Sequence, residues 1–388
     1  MSDYITDGKG RNTMDKKIQP KLRFRGFTDA WEPRKLKSLL QESTQTSTDK
    51  EILSVTVANG IYPAREGARE SNPGESLEKY KVVHENDIVY NSMRLWQGAI
   101  AISHYEGIVS PAYTVCIPSV HINPDFISYL LKRPAALRMF YSLSQGNSKD
   151  TLILKYPLFS TIKFSLPAGR EQYHIARLLR CVDQLIDAEK RKLHLLQERK
   201  RSLLKGIFNR TIRFEGFTGV WKQQKLKDEA ISISAGGDID REKLLPSGRY
   251  PVIGNALSNN GIIGYYANDY EVKGPAVTVT GRGEVGVAKA REMNFTPVVR
   301  LLAIKSLHDS HFLECAINLH RAPLESTGVP QLTIPIISNY KLLFPPTLME
   351  EMSIGLLFKH IDSLIAAVFL KIELLNLKKQ SLLQQMFV

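Results

Sequence analysis

The segment Gly281-Arg282-Gly283-Glu284-Val285-Gly286 has the glycine spacing that cradles the pyrophosphate of a dinucleotide. It follows Ala276–Thr280, a run typical of a β-strand. A dinucleotide site also requires a helix of about ten residues after the last glycine and then a parallel strand. Here Pro297 and another strand-like run, Val298–Leu302, follow almost at once. We therefore interpret the segment as a tight loop between two strands that carries Arg282.

A stretch in the first half of the chain, Met93–Gly98, matches this loop only at Arg94 and at its last glycine. An arginine on such a loop can make two hydrogen bonds to a guanine edge or one to a phosphate. The alternative for either arginine is a structural salt bridge or a solvated turn. The candidate DNA contacts on or beside the two loops are Asn91, Ser92, Arg94, Trp96, Gln97, Thr280, Arg282, Lys289 and Arg291.

Motifs for catalysis are absent from the sequence. Asn123-Pro124-Asp125-Phe126 lacks the second proline of the base-methylating motif and is an ordinary helix start. Glu271-Val272-Lys273 has no Pro-Asp at a suitable distance upstream, and the phosphate-binding G-x-x-x-x-G-K-S/T pattern does not occur. The histidines and the three cysteines are scattered, so we predict neither a metal site nor a disulfide framework.

The charge balance indicates a polyanionic partner. Lys and Arg outnumber Asp and Glu by 52 to 39, which gives a net charge of +13 and an isoelectric point near 9.5. No uninterrupted apolar run approaches ~18 residues and the N-terminus has no apolar signal core, so we expect a cytoplasmic protein without membrane contact. Residues 1–19 are predicted to form a mobile tail, and Met14 is an alternative start.

The chain contains its own opening segment twice. Arg23-Phe24-Arg25-Gly26-Phe27-Thr28 is followed by Trp31, and Arg213-Phe214-Glu215-Gly216-Phe217-Thr218 is followed by Trp221. The second copy begins about half of the 388-residue chain after the first, which indicates the duplication of a whole domain. A pseudo-symmetric protein of this kind suits a target that also has two parts, such as DNA.

Each half ends in a long amphipathic pattern with apolar residues on two rows of seven-residue period. The residues predicted to pack along these helices are Val182, Ile186, Leu193, Leu196, Leu203, Ile361, Ile365, Val368, Ile372, Leu375 and Leu382. A helix of about 40 residues is ~60 Å long. Because so long a stripe exceeds what an ordinary domain can cover, the two stripes are predicted to bury each other. The alternative is that each helix packs on its own domain.

Between the opening segment and the helix, each half has short strand-like runs broken by Gly, Pro and Asn, with a few helices such as Pro124–Lys132 and Leu307–Leu319. Further strand-like runs are Asp87–Tyr90 and Tyr113–Ile117. The predicted fold class is α+β, with two pseudo-symmetric α/β domains joined by two long coiled-coil helices. The predicted divisions are the tail 1–19, domain 1 at 20–166, a central helix at 167–209, domain 2 at 210–346 and a C-terminal helix at 347–388.

The segment Pro20–Glu32, together with Ser110-Pro111-Ala112-Tyr113, Thr327–Leu332 and the repeated helices, resembles the specificity subunits of bacterial type I restriction–modification enzymes. The first half departs from the Thr-Gly-x-Pro-Gln pattern and has Gln145–Lys149 instead. The resemblance implies that the two α/β domains are target-recognition domains, each of which recognises one half of a split site in double-stranded DNA. It also implies that the two long coiled-coil helices are antiparallel and act as a ruler. It also implies two methyltransferase subunits docked on the helices and further motor-nuclease subunits. S-adenosylmethionine, ATP and Mg would be held by those partners, with no cofactor on this chain.

Three hypotheses of function follow. The first is a non-catalytic DNA-recognition subunit with one chain bridging two methyltransferases. The second is a protein-interaction scaffold that joins partners through its helices and whose basic charge is incidental. The third is an enzyme of unknown type in the variable regions, which turnover by the isolated chain would reveal.

Overall fold

The computed structural model describes residues 19–67, 76–148, 151–320 and 331–388. Contacts divide the chain into two compact units: unit 1 comprises Met1–Ala188 and Ile372–Val388, and unit 2 comprises Glu189–Lys371. Almost all of the predicted tail, the alternative start at Met14, and the residues Lys149 and Thr327–Pro330 lie outside the described residues.

Unit 1 is built from short strands, short helices and part of each long helix. Its strands are β1 (Glu32–Lys35), β2 (Leu40–Ser43), β3 (Leu53–Thr56), β4 (Gly60–Pro63), β5 (Lys81–Val83), β6 (Ile88–Asn91), β7 (Ile100–Ile102), β8 (Gly107–Val109), β9 (Tyr113–Pro118) and β10 (Lys163–Leu166). Its helices are α1 (Pro124–Leu131), α2 (Pro134–Leu143), α3 (Tyr156–Phe159) and the first half of α4 (Gly169–Phe208).

Unit 2 repeats this composition. Its strands are β11 (Lys222–Lys225), β12 (Ala230–Ala235), β13 (Tyr250–Ile253), β14 (Ile262–Tyr266), β15 (Ala276–Val279), β16 (Ala288–Arg291), β17 (Thr296–Pro297), β18 (Leu302–Ser306) and β19 (Lys341–Phe344). Its helices are the second half of α4, α5 (Leu226–Glu229), α6 (Ser310–Leu319), α7 (Ile334–Ser338) and most of α8 (Leu348–Gln385), whose last residues belong to unit 1.

The duplication extends to sheet topology. Unit 1 has an antiparallel four-stranded sheet in the order β2-β9-β6-β7, and unit 2 has one in the order β12-β18-β15-β16. Each unit also pairs the strand after its opening segment with the strand before its long helix, as β1-β10 and as β11-β19. The predicted α+β fold class is confirmed, and the four-stranded sheets of the two units have the same order of strands.

The predicted strand over Val298–Leu302 is wrong except at its last residue, where β18 begins. Val298 and Val299 form isolated parallel bridges to Gly237 and Gly236, and Arg300 has a left-handed backbone with φ of 69°. A left-handed residue breaks the ladder of a strand. The segment is therefore a bend that leads into β18.

Each long helix begins with a buried glutamate that is held by the opening segment of the same unit. In unit 1, Arg23 donates from Nε and Nη2 to the two carboxylate oxygens of Glu171 at 2.7 and 2.8 Å. In unit 2, Arg213 makes the same two bonds to Glu350, both at 2.8 Å. Both glutamate side chains are 1% exposed. The repeated arginine therefore fixes the start of the helix on the rest of its unit by a bidentate ion pair.

The next helix residue also ties the helix start to its unit. The Gln172 side chain accepts a bond from the backbone N–H of Asn123 at 2.9 Å, and Glu351 accepts one from that of Asp309 at 3.1 Å. Asn123 and Asp309 in turn cap the N-termini of α1 and α6 through their own side-chain oxygens. The helix start, the capped helix and the opening segment thus form one connected frame in each unit.

The two long helices run antiparallel where they meet within each unit. In unit 1 Lys379 of α8 contacts Asp183 of α4 at 2.5 Å, and in unit 2 Lys200 of α4 contacts Asp362 of α8 at 2.5 Å. Asp183 precedes Lys200 by the same number of residues as Asp362 precedes Lys379. The two ion pairs are therefore equivalent under the duplication and fit one antiparallel register.

The predicted packing stripe faces protein along its whole length. Four of its residues are buried, namely Ile186, Ile361, Val368 and Ile372. The others are partly buried, namely Val182, Leu193, Leu196, Leu203, Ile365, Leu375 and Leu382. In both units, segments of α4 and α8 enter the same hydrophobic core, so the helices do not pack only on their own halves.

The far end of each helix completes the core of the unit that it reaches. Phe387, just after α8, stacks on Phe126 of unit 1 at 5.2 Å between ring centroids and meets the edge of Trp31 at 6.2 Å. Phe208, at the end of α4, stacks on Phe312 of unit 2 at 5.5 Å and meets Trp221 at 5.7 Å. Each core is thus assembled from residues of both halves of the sequence.

Helix α8 alone, among the described residues, has the length and composition of a helix that could cross a membrane. Its most apolar window has a mean hydropathy of 1.6, and 22% of that window is buried. The helix has no long uninterrupted apolar run, because charged residues lie between its apolar residues. Two of these, Lys359 and Asp362, form ion pairs with Glu292 and Lys200, which hold this helix against the rest of unit 2.

The aromatic contacts predict that Phe387→Ala destabilises unit 1. Removing a ring that is 3% exposed leaves a cavity and should lower the free energy of unfolding of that unit by about 3–5 kcal/mol. Hydrogen exchange of backbone amides should accelerate in unit 1 and stay unchanged in the β12–β18 sheet of unit 2. The matched control is Leu377→Ala on the same helix, whose side chain is 62% exposed. Equal effects of the two variants would contradict the assignment of Phe387 to the core.

Candidate nucleic-acid interface

Both predicted arginine loops join neighbouring antiparallel strands. Arg94 lies between β6 and β7, and Arg282 lies between β15 and β16. These two strand pairs occupy the same places in the two four-stranded sheets. Both arginines are exposed. The position of the loops is therefore as predicted, whereas their contact with DNA stays a prediction.

The loop of unit 1 is ordered by its own polar side chains. Asn91 accepts a bond from the backbone N–H of Met93 at 2.9 Å, and the Ser92 hydroxyl donates to the carbonyl of Ala112 at 2.8 Å. Arg94 donates from Nη1 to the Gln97 side chain at 3.2 Å. Since Asn91 and Ser92 stabilise the loop itself, Arg94 and Gln97 are the side chains best placed to contact a ligand.

Trp96 has a packing role in this loop. Its ring meets Tyr141 edge-on at 5.5 Å between centroids, and its indole lies against the main core of unit 1. The Nε1 atom is buried without a hydrogen-bond partner among the described residues. The geometry favours structural packing over stacking on a base for this candidate.

The loop of unit 2 is a tight turn closed by Thr280. The Thr280 hydroxyl donates to the carbonyl of Glu284 and accepts from the backbone N–H of Val287, the latter at 2.9 Å. Gly283 and Gly286 have φ of 70° and 87°, which favours glycine at both positions. No helix follows the last glycine, because β16 begins two residues later. The glycine spacing therefore serves a strand-to-strand turn, as the sequence predicts.

Gly281 is required by a close backbone approach. A Cβ atom at this position would lie 2.1 Å from the carbonyl oxygen of Arg300. Its N–H donates to Asn255 at 2.9 Å, and its carbonyl accepts from the N–H of Leu332 at 3.1 Å. Three segments distant in sequence therefore meet at the base of the Arg282 loop.

Arg300 also belongs to this site, although no sequence pattern predicted it. It carries the left-handed backbone described above, and its Nη1 donates to Gln331 at 2.8 Å. A non-glycine residue held in this conformation stores backbone strain, which is common at functional sites. The resemblance motif includes Gln331, but only the fold brings that residue to Arg300.

The remaining candidates of unit 2 lie on β16. Lys289 donates from Nζ to Glu314 at 3.3 Å, and this lysine side chain remains 44% exposed. Arg291 donates from Nε to the Thr278 hydroxyl at 2.9 Å. Burial lowers the pKa of the Arg291 guanidinium to about 10. The structure therefore brings Thr280, Lys289 and Arg291 to one face of the sheet, with Arg282 on the adjoining loop.

Metal chemistry has no support among the described residues, where no group of three or more His, Cys, Asp or Glu side chains could hold an ion. The two buried cysteines, Cys116 and Cys315, lie in apolar surroundings that raise the pKa of their thiols, that of Cys315 to about 12. Neither thiol is therefore prepared to act as a nucleophile.

The family of the type I restriction modification DNA specificity domain matches residues 28–198 and 219–381. The chain belongs to this family. The two matched regions correspond to the two copies seen in the sequence, and each contains one four-stranded sheet and one arginine loop.

Two proteins of Mycoplasma pneumoniae named as type I specificity subunits are similar to this family member. One is 24% identical over 232 residues, which are 58% of this chain and 60% of that protein. The other is 30% identical over 163 residues, which are 40% of this chain and 50% of that protein. The chain thus matches between half and three-fifths of the length of these curated relatives.

Solved structures share the fold at low sequence identity. The crystal structure of a type I restriction-modification S subunit from M. genitalium covers 96% of this chain and 99% of its own, with a TM-score of 0.69 and 14% identity. A chain from a structure of complex assembly in the type I R-M system covers 92% of this chain and 97% of its own, with a TM-score of 0.51 and 15% identity. The specificity-subunit fold is therefore the fold of this family member.

The close approach at Gly281 yields a test of the unit 2 loop. Gly281→Ala places a methyl group against the backbone carbonyl of Arg300. A backbone oxygen cannot move aside as a flexible side chain can, so the loop must shift at a cost of about 1–3 kcal/mol. We expect a lower melting temperature and weaker DNA binding. The matched control is Gly237→Ala, where a Cβ meets nothing within 4 Å. If Gly281→Ala behaves like this control, the described base of the loop is wrong.

Proposed function

We propose that this protein is the DNA-recognition subunit of a type I restriction–modification complex and that each unit recognises one half of a bipartite site. The observation that carries the proposal is the matched pair of sheets, which present an exposed arginine at the same place among otherwise unlike side chains. A shared frame with unlike surfaces suits two different half-sites. The net charge of +13 supports a polyanionic ligand.

The ligand in this proposal is double-stranded DNA. A loop between two strands fits the major groove, which admits a two-stranded ribbon and displays a distinct pattern of donors and acceptors for each base pair. Lysine and arginine contacts to phosphates would supply affinity, and the loop residues around Arg94 and Arg282 would supply sequence choice.

The long helices would set the distance between the two half-sites. Helix α4 has 40 residues and α8 has 38, so each is nearly 60 Å long at ~1.5 Å per residue. The matched ion pairs Asp183–Lys379 and Lys200–Asp362 support a single antiparallel register. Such a pair is stiff enough to act as a spacer of fixed length.

Methyltransferase subunits would dock on the apolar surface that the helix pair leaves open. In unit 2 the exposed side chains of α8 include Met349, Met352, Leu356, Phe369 and Leu370, which are 50 to 68% exposed. In unit 1 the same helix exposes Leu374 and Leu377, which are 52% and 62% exposed. Patches of this kind mark interaction sites on soluble proteins. The stripe predicted from the sequence is buried or partly buried, so this more exposed second set is the surface available to a partner.

The chemistry would belong to the partners. We propose that the chain is non-catalytic and cytoplasmic and that two methyltransferase subunits act with S-adenosylmethionine on an adenine flipped out of the duplex. Motor-nuclease subunits with ATP and Mg would complete the assembly. The chain itself would supply position and sequence choice.

A protein-interaction scaffold without DNA recognition is the second candidate, and the exposed apolar side chains of α8 are the observation that favours it. A gel-shift assay on the chain together with a methyltransferase partner separates the two functions. DNA recognition predicts retention of one duplex sequence over others, whereas the scaffold predicts a protein complex that retains no duplex selectively.

The spacer role predicts the effect of lengthening the helix pair. Insertion of four residues after Leu196 adds ~6 Å and rotates the far end by ~40°. A second insertion of four residues after Ala366 keeps both ion pairs in register. We expect a methylated motif with a changed gap and unchanged bases, measured by sequencing methylated DNA from cells. The control replaces four residues at each place without changing length. Changed bases with an unchanged gap would contradict the spacer role.

The independence of the units predicts the result of a domain exchange. Residues 36–162 lie between β1 and β10, so their replacement by the equivalent region of a related subunit leaves the Arg23–Glu171 ion pair intact. One half of the methylated motif should change and the other should stay. The matched control exchanges residues 226–340 of unit 2 and should change only the other half. Simultaneous change of both halves would show that the units do not act separately.

A further inference from the structure

Unit 2 contains a cavity of about 210 Å³ beside the Arg282 loop. One wall is the face of the four-stranded sheet that carries Thr278 and Arg291, and the opposite wall is the segment that follows β13. Its lining residues are Gly254, Ala256, Leu257, Asn260, Thr278, Thr280, Val287, Lys289, Arg291 and Leu301. The opposite wall is itself held in a defined shape, because Asn259 and Asn260 have left-handed backbones with φ of 49° and 53°.

Arg291 is held in the cavity in a fixed orientation. Its Nε donates to the hydroxyl of Thr278, a residue only 1% exposed, and these positions are near neighbours across β15 and β16. A guanidinium anchored through Nε keeps its two Nη atoms available as a planar fork. The bond to Thr278 is the only side-chain hydrogen bond of Arg291 among the described residues.

The guanidinium has no carboxylate bonded to it in the described part of the chain. Glu314 acts on it at longer range and raises its pKa, against the larger effect of burial. The two oxygens of Glu314 are already bonded, one to the N–H of Ala290 at 2.9 Å and one to Lys289 at 3.3 Å. Arg23 and Arg213, by contrast, each hold both oxygens of a glutamate through Nε and Nη2. Arg291 is thus an oriented cation whose paired donors are open to an outside acceptor.

The lining favours a planar base over a phosphate as that acceptor. Leu257, Val287 and Leu301 present apolar surface beside the guanidinium, which offers nothing to a hydrated phosphate group. The space of about 210 Å³ leaves room for the major-groove edge of one paired base. Among the bases, guanine offers two acceptors, O6 and N7, at the spacing of the arginine fork.

We propose that Arg291, positioned by Thr278, recognises a guanine in the half-site of unit 2 by two hydrogen bonds from its Nη atoms to O6 and N7. This rests on the proposed function and goes beyond it by naming the base and the side chain. The corresponding strand of unit 1, β7, carries Ile100, Ala101 and Ile102, with no cationic side chain. The contact therefore belongs to unit 2 alone and makes its choice of sequence unlike that of unit 1.

The test measures binding of the chain with its methyltransferase partner to duplexes that carry its methylated motif. Each guanine in the unit 2 half-site is replaced in turn by 7-deazaguanine, which lacks N7, or by inosine, which keeps O6 and N7. At one position the 7-deaza duplex should bind about 5- to 150-fold more weakly, and the inosine duplex should bind like guanine there. Arg291→Met removes the donors and keeps a long unbranched side chain, so it should abolish the difference at that position only.

Arg282→Met is the matched control, and its binding should still be weakened by 7-deazaguanine at the sensitive position. Thr278→Val should reduce that loss of affinity without moving it to another position. A loss of affinity that survives in folded Arg291→Met, or a half-site without a sensitive guanine, would overturn the inference while leaving the proposed function intact. The inference would also be overturned if Arg291→Ala weakened the binding of all DNA sequences equally and made the affinity less dependent on salt. Such a result indicates a phosphate contact. A wild-type complex without any sequence preference would overturn the proposed function itself.

Discussion

The rest of the structure depends on one ion pair that occurs twice, between the arginine of the opening segment and the buried glutamate at the start of the long helix. A carboxylate that is 1% exposed must be fully paired, because desolvation makes an unpaired charge very costly. Arg23 and Arg213 satisfy both oxygens of their glutamates and thereby fix each helix on its unit. A spacer can set a distance only if its ends are held in this way.

This frame explains why two units whose four-stranded sheets have the same strand order can carry such different surface residues. The ion pair, the ribbons β1-β10 and β11-β19, and the helix caps at Asn123 and Asp309 all lie outside the arginine loops. The residues that stabilise each unit are thereby different from the loop residues proposed to recognise DNA. The β16 strand can carry Lys289 and Arg291 where β7 carries isoleucines, with no change in strand order.

The repeated parts of the fold were predictable from the sequence because repetition and seven-residue spacing report packing directly. The Arg282 loop was predictable because its glycines and the nearby Pro297 exclude a following helix. The bend at Arg300 was not, since it depends on the approach of its carbonyl to Gly281. The cavity at Arg291 depends on how one sheet faces the segment after β13, and no local pattern encodes that contact. The exposed apolar side of α8 was not predicted, because the seven-residue spacing identifies only the residues that pack between the helices.

The central claim is that one chain specifies two separated short sequences in DNA. The most direct measurement is sequencing of methylated bases across the host genome with and without this gene. The account predicts that deletion removes one methylated motif made of two short specified sequences separated by a gap of fixed length and unspecified bases. Methylation that is unchanged by the deletion, or a lost motif that is one continuous sequence, would contradict it.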